Sequence, residues 1–498
     1  MILSKQNLQY INSSEIVKPE ETVFTLPVKV LQFGTGVLLR GLPDYFIDKA
    51  NRQGLFNGRV VVVKSTNSGS TEAFDHQDGL YTLVSKGIAN GQNIEENIIC
   101  AAISHVLSAV SNWDRVLEEV LNPELKIIIS NTTEVGIQLV EEDINQSPPA
   151  SFPAKLLALL YKRYQAFNGS KTSGFVIIPT ELLPDNGKIL KDIILQLIKF
   201  NHLDSEFEKW VNESNFFCNS LVDRIVPGKP DVKDLQAFEE KARYKDELLT
   251  VSEVYRLWAI EGDEKVRSVL SFAGADEGVI IAPDINIYRE LKLRLLNGTH
   301  TLSCALAFLS GFETVNVAMD NEVFIEFVRR LMAEIASAIP YPVDPKTAQD
   351  FSERVLDRFK NPNIRHLWIN ISQQYTTKLK LRVLPVLHEY YKKFNKVPQE
   401  IAVGFAAYLV FMRPVKEIDG QYFGEYGQVS YPINDDKAAY FFNLLKNGLS
   451  LNIIPSILKD KTLWESDLTL LPGFAEKVQE YYDGILGGNL AITRIDLV

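Results

Sequence analysis

At 498 residues with 46% apolar content, the chain is long enough for a large core and for two or three domains rather than one. A formal charge of -11, with no long Lys/Arg block to offset it, argues against nucleic acid or an anionic membrane as partner, so an acidic ligand must be met by local positive charge. Cys100, Cys218 and Cys304 lie far apart without C-x-x-C spacing, which indicates neither a disulfide framework nor a thiolate zinc site. The start, MILSKQNLQY, lacks the apolar core of a signal peptide, and the longest apolar run, 402–412, is too short to cross a bilayer. A cytoplasmic protein in a reducing compartment is expected.

In chain order, the runs 28–33, 60–64, 126–130, 175–179 and 279–282 read as buried strands, with helical patterns between most of them. Continuous apolar strands separated by helices predict a parallel, doubly wound sheet. The first strand runs into Gly34-Thr35-Gly36 and then a helical stretch at 44–52. In such a strand, turn and helix, the first glycine permits the tight turn and the second lets backbone approach a pyrophosphate. The expected dinucleotide contacts are Gln32, Phe33, Gly34, Thr35, Gly36, Val37, Leu38, Leu39 and Arg40, with Asn131 and Thr132 at the end of a later strand. Leu39 stands where a third glycine is usual. Arg40 reads equally as a pyrophosphate contact or a solvated arginine. Asn131 and Thr132 read as a nicotinamide-ribose contact or as an ordinary strand-end turn. The second strand ends Val63-Lys64-Ser65-Thr66-Asn67-Ser68 with no carboxylate for ribose hydroxyls, so NAD and NADP both stay open, and Lys64 suits a 2′-phosphate.

From about residue 288 the period becomes helical, over 288–311, 320–337, 347–360, 375–395, 398–412, 435–447 and 472–484, and no strand is expected to interrupt it. The layout is therefore an α/β, Rossmann-type domain over 1–285, assigned to dinucleotide binding, and a mainly helical domain over 286–498, assigned to substrate and catalysis. At the start of the second lies Lys292-Leu293-Arg294-Leu295-Leu296-Asn297-Gly298-Thr299-His300, an amine, an amide and an imidazole at K-x4-N-x2-H spacing. On ideal α-helix geometry of about 100° per residue, Lys292, His300 and Asn297 fall at roughly 0°, 80° and 140°, within one arc. Eight α-helical residues separate Lys292 and His300 by about 12 Å, so the lysine must reach and the histidine lean back. Such a trio supports metal-free hydride transfer; the alternative is a solvated Lys292, a helix interruption at Asn297 and Gly298, and a satisfied core His300. The six histidines show no H-x-x-x-H or carboxylate spacing that suggests zinc. The amine must be neutral when it acts as a base, which calls for burial and a nearby cation such as Arg294 or an oxidised nicotinamide.

Three further strings occur in order with these motifs: Gln77-Asp78-Gly79-Leu80-Tyr81-Thr82-Leu83, Ser130-Asn131-Thr132-Thr133-Glu134-Val135-Gly136, and Leu221-Val222-Asp223-Arg224-Ile225-Val226-Pro227. Together they resemble the mannitol dehydrogenase family of long-chain polyol dehydrogenases over most of the chain. That resemblance implies metal-independent oxidoreduction with NAD(P), Lys292 as general base of alcohol oxidation, and Asn297 and His300 holding the substrate oxygen. Thr376-Thr377-Lys378-Leu379-Lys380-Leu381-Arg382 is similar to the family's S-x-K-x-x-x-R segment. Lys378 and Arg382, i and i+4 neighbours, suit a sugar-acid carboxylate or a solvated basic face. Asp223 suits substrate hydroxyls or a pairing with Arg224.

One departure narrows the expectation. Polyol-oxidising members resemble C-D-N-L-P-x-N-G after the fourth strand, whereas this chain reads Thr180-Glu181-Leu182-Leu183-Pro184-Asp185-Asn186-Gly187, placing Leu182 where an oxyanion-binding asparagine is expected. With V-V-V-V-K-S-T after the second strand, this version looks like the branch that acts on keto sugar acids, which implies NADH as reductant of a small sugar-acid substrate. Glu181 is left as a substrate ligand or a structural carboxylate. Sister activities on fructuronate, mannitol or arabinitol, and a non-catalytic dinucleotide-binding protein, are the alternatives. Oligomeric state is not legible.

Overall fold

The valine run after Arg59 has no polar face because it lies at the heart of a parallel sheet. In a computed structural model, which describes residues 1–66, 69–132, 134–446 and 453–488, Val60, Val61, Val62 and Val63 are all fully buried. The chain forms two compact units: Met1–Gly87 with Asn93–Ile285, and Ile88–Gln92 with the residues from Asn286 onward.

In the first unit, β1 (Val28–Phe33), β2 (Arg59–Lys64), β3 (Ile103–Ser108), β4 (Ile127–Ser130), β5 (Val176–Pro179) and β6 (Phe216–Phe217) form one sheet in the order β3-β2-β1-β4-β5-β6. Every pairing is parallel. This is the doubly wound Rossmann order, and the winding reverses between β1 and β4, the point at which such sheets bind their ligands beyond the strand C-termini. Alternate residues feed the cores on the two faces: Val30, Val60 and Ile127 on one, Leu31, Val61 and Ile128 on the other. The helix α1 (Pro43–Arg52) follows the glycine turn and buries Tyr45, Phe46 and Ile47.

Two expectations change here. Val279–Ala282 is a strand, but it pairs outside the main sheet. With β7 (Ser220–Asp223) and β8 (Leu257–Glu261), it forms a separate three-stranded sheet as β9 (Val279–Ala282). A four-stranded sheet containing a long hairpin, Tyr81–Ala89 and Gln92–Cys100, also escaped the reading. Its Asn90-Gly91 turn has φ of 52° and 71°, the positive values that an Asn-Gly hairpin turn requires.

The second unit is mainly helical. Its helices include α2 (Asn286–Leu291), α3 (Thr299–Leu309), α4 (Pro345–Lys360), α5 (Tyr375–Phe394) and α6 (Gln399–Phe411). The apolar run at 402–412 is accounted for by α6, which is buried on every side at the centre of the helical core. No helix among the described residues is long and apolar enough to cross a membrane. Contrary to the strand-free expectation, an antiparallel meander interrupts the helices: β10 (Pro414–Ile418), β11 (Gln421–Tyr426) and β12 (Val429–Ile433). Its first turn, Asp419-Gly420, again has both residues at positive φ, and only alternate positions such as Tyr431 and Ile433 are buried. The period-2 signal is short and half solvated, which is why helical periodicity on either side masked it.

Candidate active site

The glycine turn separates two physical requirements. Gly34 holds φ +126°, and a Cβ there would lie 2.9 Å from the Leu39 side chain and 3.0 Å from the Asn131 carbonyl oxygen. Only glycine meets that combination of backbone and space. At Gly36 a Cβ would meet nothing within 4 Å, so this glycine relieves no clash and instead leaves room for a ligand above the backbone. A diphosphate needs a turn of that kind at the sheet's switch point. Leu39, in place of a third glycine, is fully buried and packs beneath Gly34.

Arg40 is buried rather than solvated. Its Nε donates to Thr250 Oγ1 at 3.2 Å and its Nη1 to the Thr35 carbonyl at 3.4 Å, while the guanidinium faces the Phe74 and Tyr81 rings. It braces the turn from below. Gln32 and Phe33 are also buried, under the turn, whereas Val37 and Leu38 are half-buried on its short helix. Lys64 directs its ammonium to the Thr66 carbonyl. Asn67 and Ser68, which end the stretch where a ribose-binding carboxylate would stand, lie outside the described residues.

The strand-end pair is organised by Glu181, which sequence reasoning left open between ligand and scaffold. Its Oε1 accepts from Thr132 N at 2.8 Å and Thr132 Oγ1 at 2.9 Å, and its Oε2 accepts from Ser130 Oγ at 3.1 Å. Three donors on a buried carboxylate make Glu181 a clamp on the turn after β4, with burial raising its carboxyl above the usual range. Asn131 Nδ2 donates to the Thr180 carbonyl and hydroxyl. Asn131 and Thr132 are thus fixed from β5, with Gly34 against the Asn131 carbonyl. Leu182 is 60% exposed and offers no amide. Asp223 ends β7 and is buried, while its neighbour Arg224 is taken up by the carbonyls of Glu253 and Gly41 and by Ser85.

In the second unit the expected uniform α-helix is replaced by a π-helical turn over Lys292–Gly298, set between α2 and α3. The π pattern joins i to i+5, so Lys292 and Asn297, some 140° apart on an α-helix, come one turn apart. More residues per turn also shorten the rise between Lys292 and His300, which eases the reach that an α-helix imposes. Glycine at 298, which closes the turn, contributes no side chain there, and Thr301 Oγ1 donates to the Asn297 carbonyl at 2.7 Å. Arg294, expected as a cation for the lysine, is paired with Glu290 at 2.9 Å and donates to the Leu381 and Arg382 carbonyls.

His300 gathers the remaining groups. Its ring stacks on Phe359 at 4.1 Å and meets the edge of His366 at 5.1 Å and of Trp368 at 6.1 Å. Its Nε2 is shielded from solvent and has no hydrogen-bond partner among the described residues. Burial first, then the charges of His366, Arg358, Arg382 and Lys378, hold the imidazole well below the usual histidine range, so it is neutral at physiological pH. Arg382 donates to Thr301 Oγ1 at 3.1 Å, and burial lowers its guanidinium to about 10. Lys378 donates to the Ile371 carbonyl at 2.9 Å, and Asp435, which caps α5 through Thr376, adds a partial counter-charge. The structure therefore places Lys378 and Arg382 with His300, as a cationic pocket beside a neutral histidine whose nitrogen awaits a partner. Sequence reasoning missed His366, Phe359 and Arg358 from this pocket. They come from α4 and the loop after it, at no fixed spacing from His300, and only the tertiary fold supplies them.

Residues 28–272 match the model of the mannitol dehydrogenase Rossmann domain, and residues 284–486 match that of the mannitol dehydrogenase C-terminal domain. The chain belongs to the mannitol dehydrogenase family. Among its relatives in that family, a Halalkalibacterium halodurans protein named altronate oxidoreductase is 38% identical, covering 91% of this chain and 90% of the relative. A Bacillus subtilis protein of the same name is 36% identical, covering 92% and 93%. The fold is also that of Pseudomonas fluorescens mannitol 2-dehydrogenase, solved with NAD and D-mannitol (TM-score 0.68, 21% identity, 99% of each chain). A substrate-free D-sorbitol dehydrogenase gives a TM-score of 0.80 at 20% identity, again over 99% of each chain. Family membership makes the protein an oxidoreductase acting on CH–OH groups, and the Rossmann sheet with its open glycine turn supports a nicotinamide dinucleotide as cofactor.

Proposed function

We propose that the protein is an NADH-dependent tagaturonate reductase, interconverting tagaturonate and altronate without a metal. The observation that carries the sugar-acid reading is the cationic pocket around His300, where Arg382, Lys378 and Arg358 bring positive charge to a neutral imidazole. A uronate carboxylate supplies such a cluster with a counter-charge, while a neutral polyol meets the same Lys378 and Arg382 as hydrogen-bond donors. The relatives named altronate oxidoreductase support the same substrate class. The T-E-L-L-P-D-N-G string beginning at Thr180 adds to this, because it lacks the asparagine of the polyol-oxidising version.

When bound, the nicotinamide supplies the hydride. Lys292 Nζ gives its proton to the substrate oxygen in reduction and takes it back in oxidation. Asn297 and the unpartnered His300 nitrogen hold that oxygen as charge develops on it. Lys378 and Arg382 hold the carboxylate, and Asp223 is assigned to substrate hydroxyls. The residues proposed to hold the dinucleotide run from Gln32 to Arg40, with Asn131 and Thr132. Gly36 gives the pyrophosphate room, while Gln32, Phe33, Leu39 and Arg40 support the turn from beneath.

The test is NADH oxidation with tagaturonate, fructuronate and fructose in parallel, repeated with NADPH. Preference for tagaturonate with NADH is expected. Preference for fructuronate would move the assignment to a sister uronate reductase, turnover of fructose alone would defeat the carboxylate reading, and NADH binding without any turnover would leave a non-catalytic dinucleotide protein.

A further inference from the structure

Gln32 and Asp44 flank the glycine turn, the first on β1 and the second on α1, and both are fully buried. Gln32 Nε2 donates to Asp44 Oδ2 at 3.3 Å. The other two oxygens of the pair, Gln32 Oε1 and Asp44 Oδ1, have no hydrogen-bond partner among the described residues. Two orphaned acceptors in one buried contact are costly, since each loses its water without gaining a donor. Exchanging the amide's oxygen and nitrogen does not help, because it breaks the one bond present. A single hydrogen on the carboxyl, placed between Asp44 Oδ1 and Gln32 Oε1, would satisfy both oxygens at once.

We propose that Asp44 is a neutral carboxylic acid in the folded protein, donating from Oδ1 to Gln32 Oε1, so that a two-bond amide–acid ring ties β1 to α1 across the glycine turn. Burial pushes the Asp44 carboxyl up to about 7, in the direction this ring requires. The surrounding groups do not supply the missing donor. Arg40, which favours the carboxylate through its charge, directs Nε to Thr250 and Nη1 to Thr35, and no hydrogen bond joins it to Asp44 among the described residues. Asp48, one helical turn on, is occupied by Arg52 and the Ala101 amide, and its charge disfavours a second carboxylate. Tyr81 donates to the Arg40 carbonyl, and Cys100 to the Asp44 carbonyl. Asp44 is thus a positioning residue that fixes the turn without setting a negative charge beneath the place proposed for a pyrophosphate. This goes beyond the substrate reading and stands on the first unit alone.

The rival arrangement is an ionised Asp44 with a trapped water donating to both oxygens. The two differ in the sign of a pH effect. A carboxyl raised in the folded state gives stability that is full below the unfolded value near 4 and is lost as pH rises through about 7. The experiment is urea unfolding of the full apo chain at pH 5 and 7, for wild type and Asp44→Asn, whose amide also closes a two-bond ring with Gln32. The unfolding constant of wild type relative to the variant should rise about 50-fold from pH 5 to 7. NADH affinity of wild type should fall by about threefold or more between pH 6 and 8.5 as the charge appears, and stay flat in the variant. If the variant does not fold, infrared spectroscopy of the wild type decides. A protonated-carboxyl stretch present at pH 6 and absent at pH 9, read in protein carrying 13C at its aspartate carboxyls, supports the ring, the label excluding Glu334, whose carboxyl burial also pushes up to about 7. A constant stability ratio, or no such band at pH 6, overturns it.

Discussion

The glycine turn of the first unit and the histidine pocket of the second use burial on opposite kinds of group, to one end. At the turn, burial raises the Asp44 carboxyl and so opposes a negative charge. In the pocket it lowers His300 and His366, keeping the imidazoles neutral while Arg382 and Lys378 remain cationic. Desolvation disfavours the charged form in both places, so the acid gains a proton and the bases lose theirs. Both regions are thereby made hospitable to anions, the turn by removing a repulsive charge and the pocket by collecting attractive ones. They differ in what they leave unmet. At the turn the two unpartnered oxygens, Gln32 Oε1 and Asp44 Oδ1, lie in one contact that the proposed proton satisfies, whereas the pocket keeps a shielded imidazole nitrogen unpartnered. A scaffold satisfies itself, and a reactive site holds something back.

If the pocket performs the chemistry and the turn only holds the cofactor, substitutions in the two regions should move different quantities. The largest effect is expected from Lys292→Ala, which should lower kcat by about a thousandfold with NADH affinity intact. Full activity would end the proton-transfer assignment. His300→Ala should cost about 100-fold or more in kcat through loss of one oxygen-holding group. Arg382→Gln should raise KM for an acid substrate by about 10- to 100-fold with a small change in kcat. An equal loss on fructose would place Arg382 in the scaffold instead.

Acid separates the regions by sign. His300 and His366 are depressed below their unfolded values, so the unfolded chain takes up protons first, and stability that is full above about pH 6.5 is lost as pH falls below it. Urea unfolding between pH 7 and 5 should show His366→Gln less acid-sensitive than wild type, up to about tenfold in the unfolding constant per pH unit. The smallest effect on stability is expected at the turn's second glycine. Gly36→Ala should unfold within about 0.5 kcal/mol of wild type yet bind NADH more weakly, while Gly34→Ala should lose about 1–3 kcal/mol because of its positive φ. Equal stability losses in the two would contradict the division of roles between these glycines.

Local pattern alone was enough for the parts of this protein that obey local rules. The valine strand, the glycine turn, the all-apolar central helix and the helical second half are visible in the sequence because periodicity and backbone constraints act over a few residues. Two hairpins escaped although Asn90-Gly91 and Asp419-Gly420 are strong turn signals, because neighbouring patterns hid them. Other features depended on distant parts of the chain. Lys292, Asn297 and His300 stand at a spacing visible in the sequence, yet the π turn that brings Lys292 and Asn297 one turn apart is a property of the folded chain. Glu181 could be placed as a clamp only once Thr132 and Ser130 were seen on it. His366, Arg358 and Phe359 joined His300 from 58 to 66 positions away, and the proton proposed on Asp44 follows from what Gln32 leaves unsatisfied. The sequence by itself determined the elements and the chemistry available to them. Tertiary structure decided which charges lose their water and which partners they keep, because desolvation and hydrogen bonding depend on neighbours that the chain brings together only on folding.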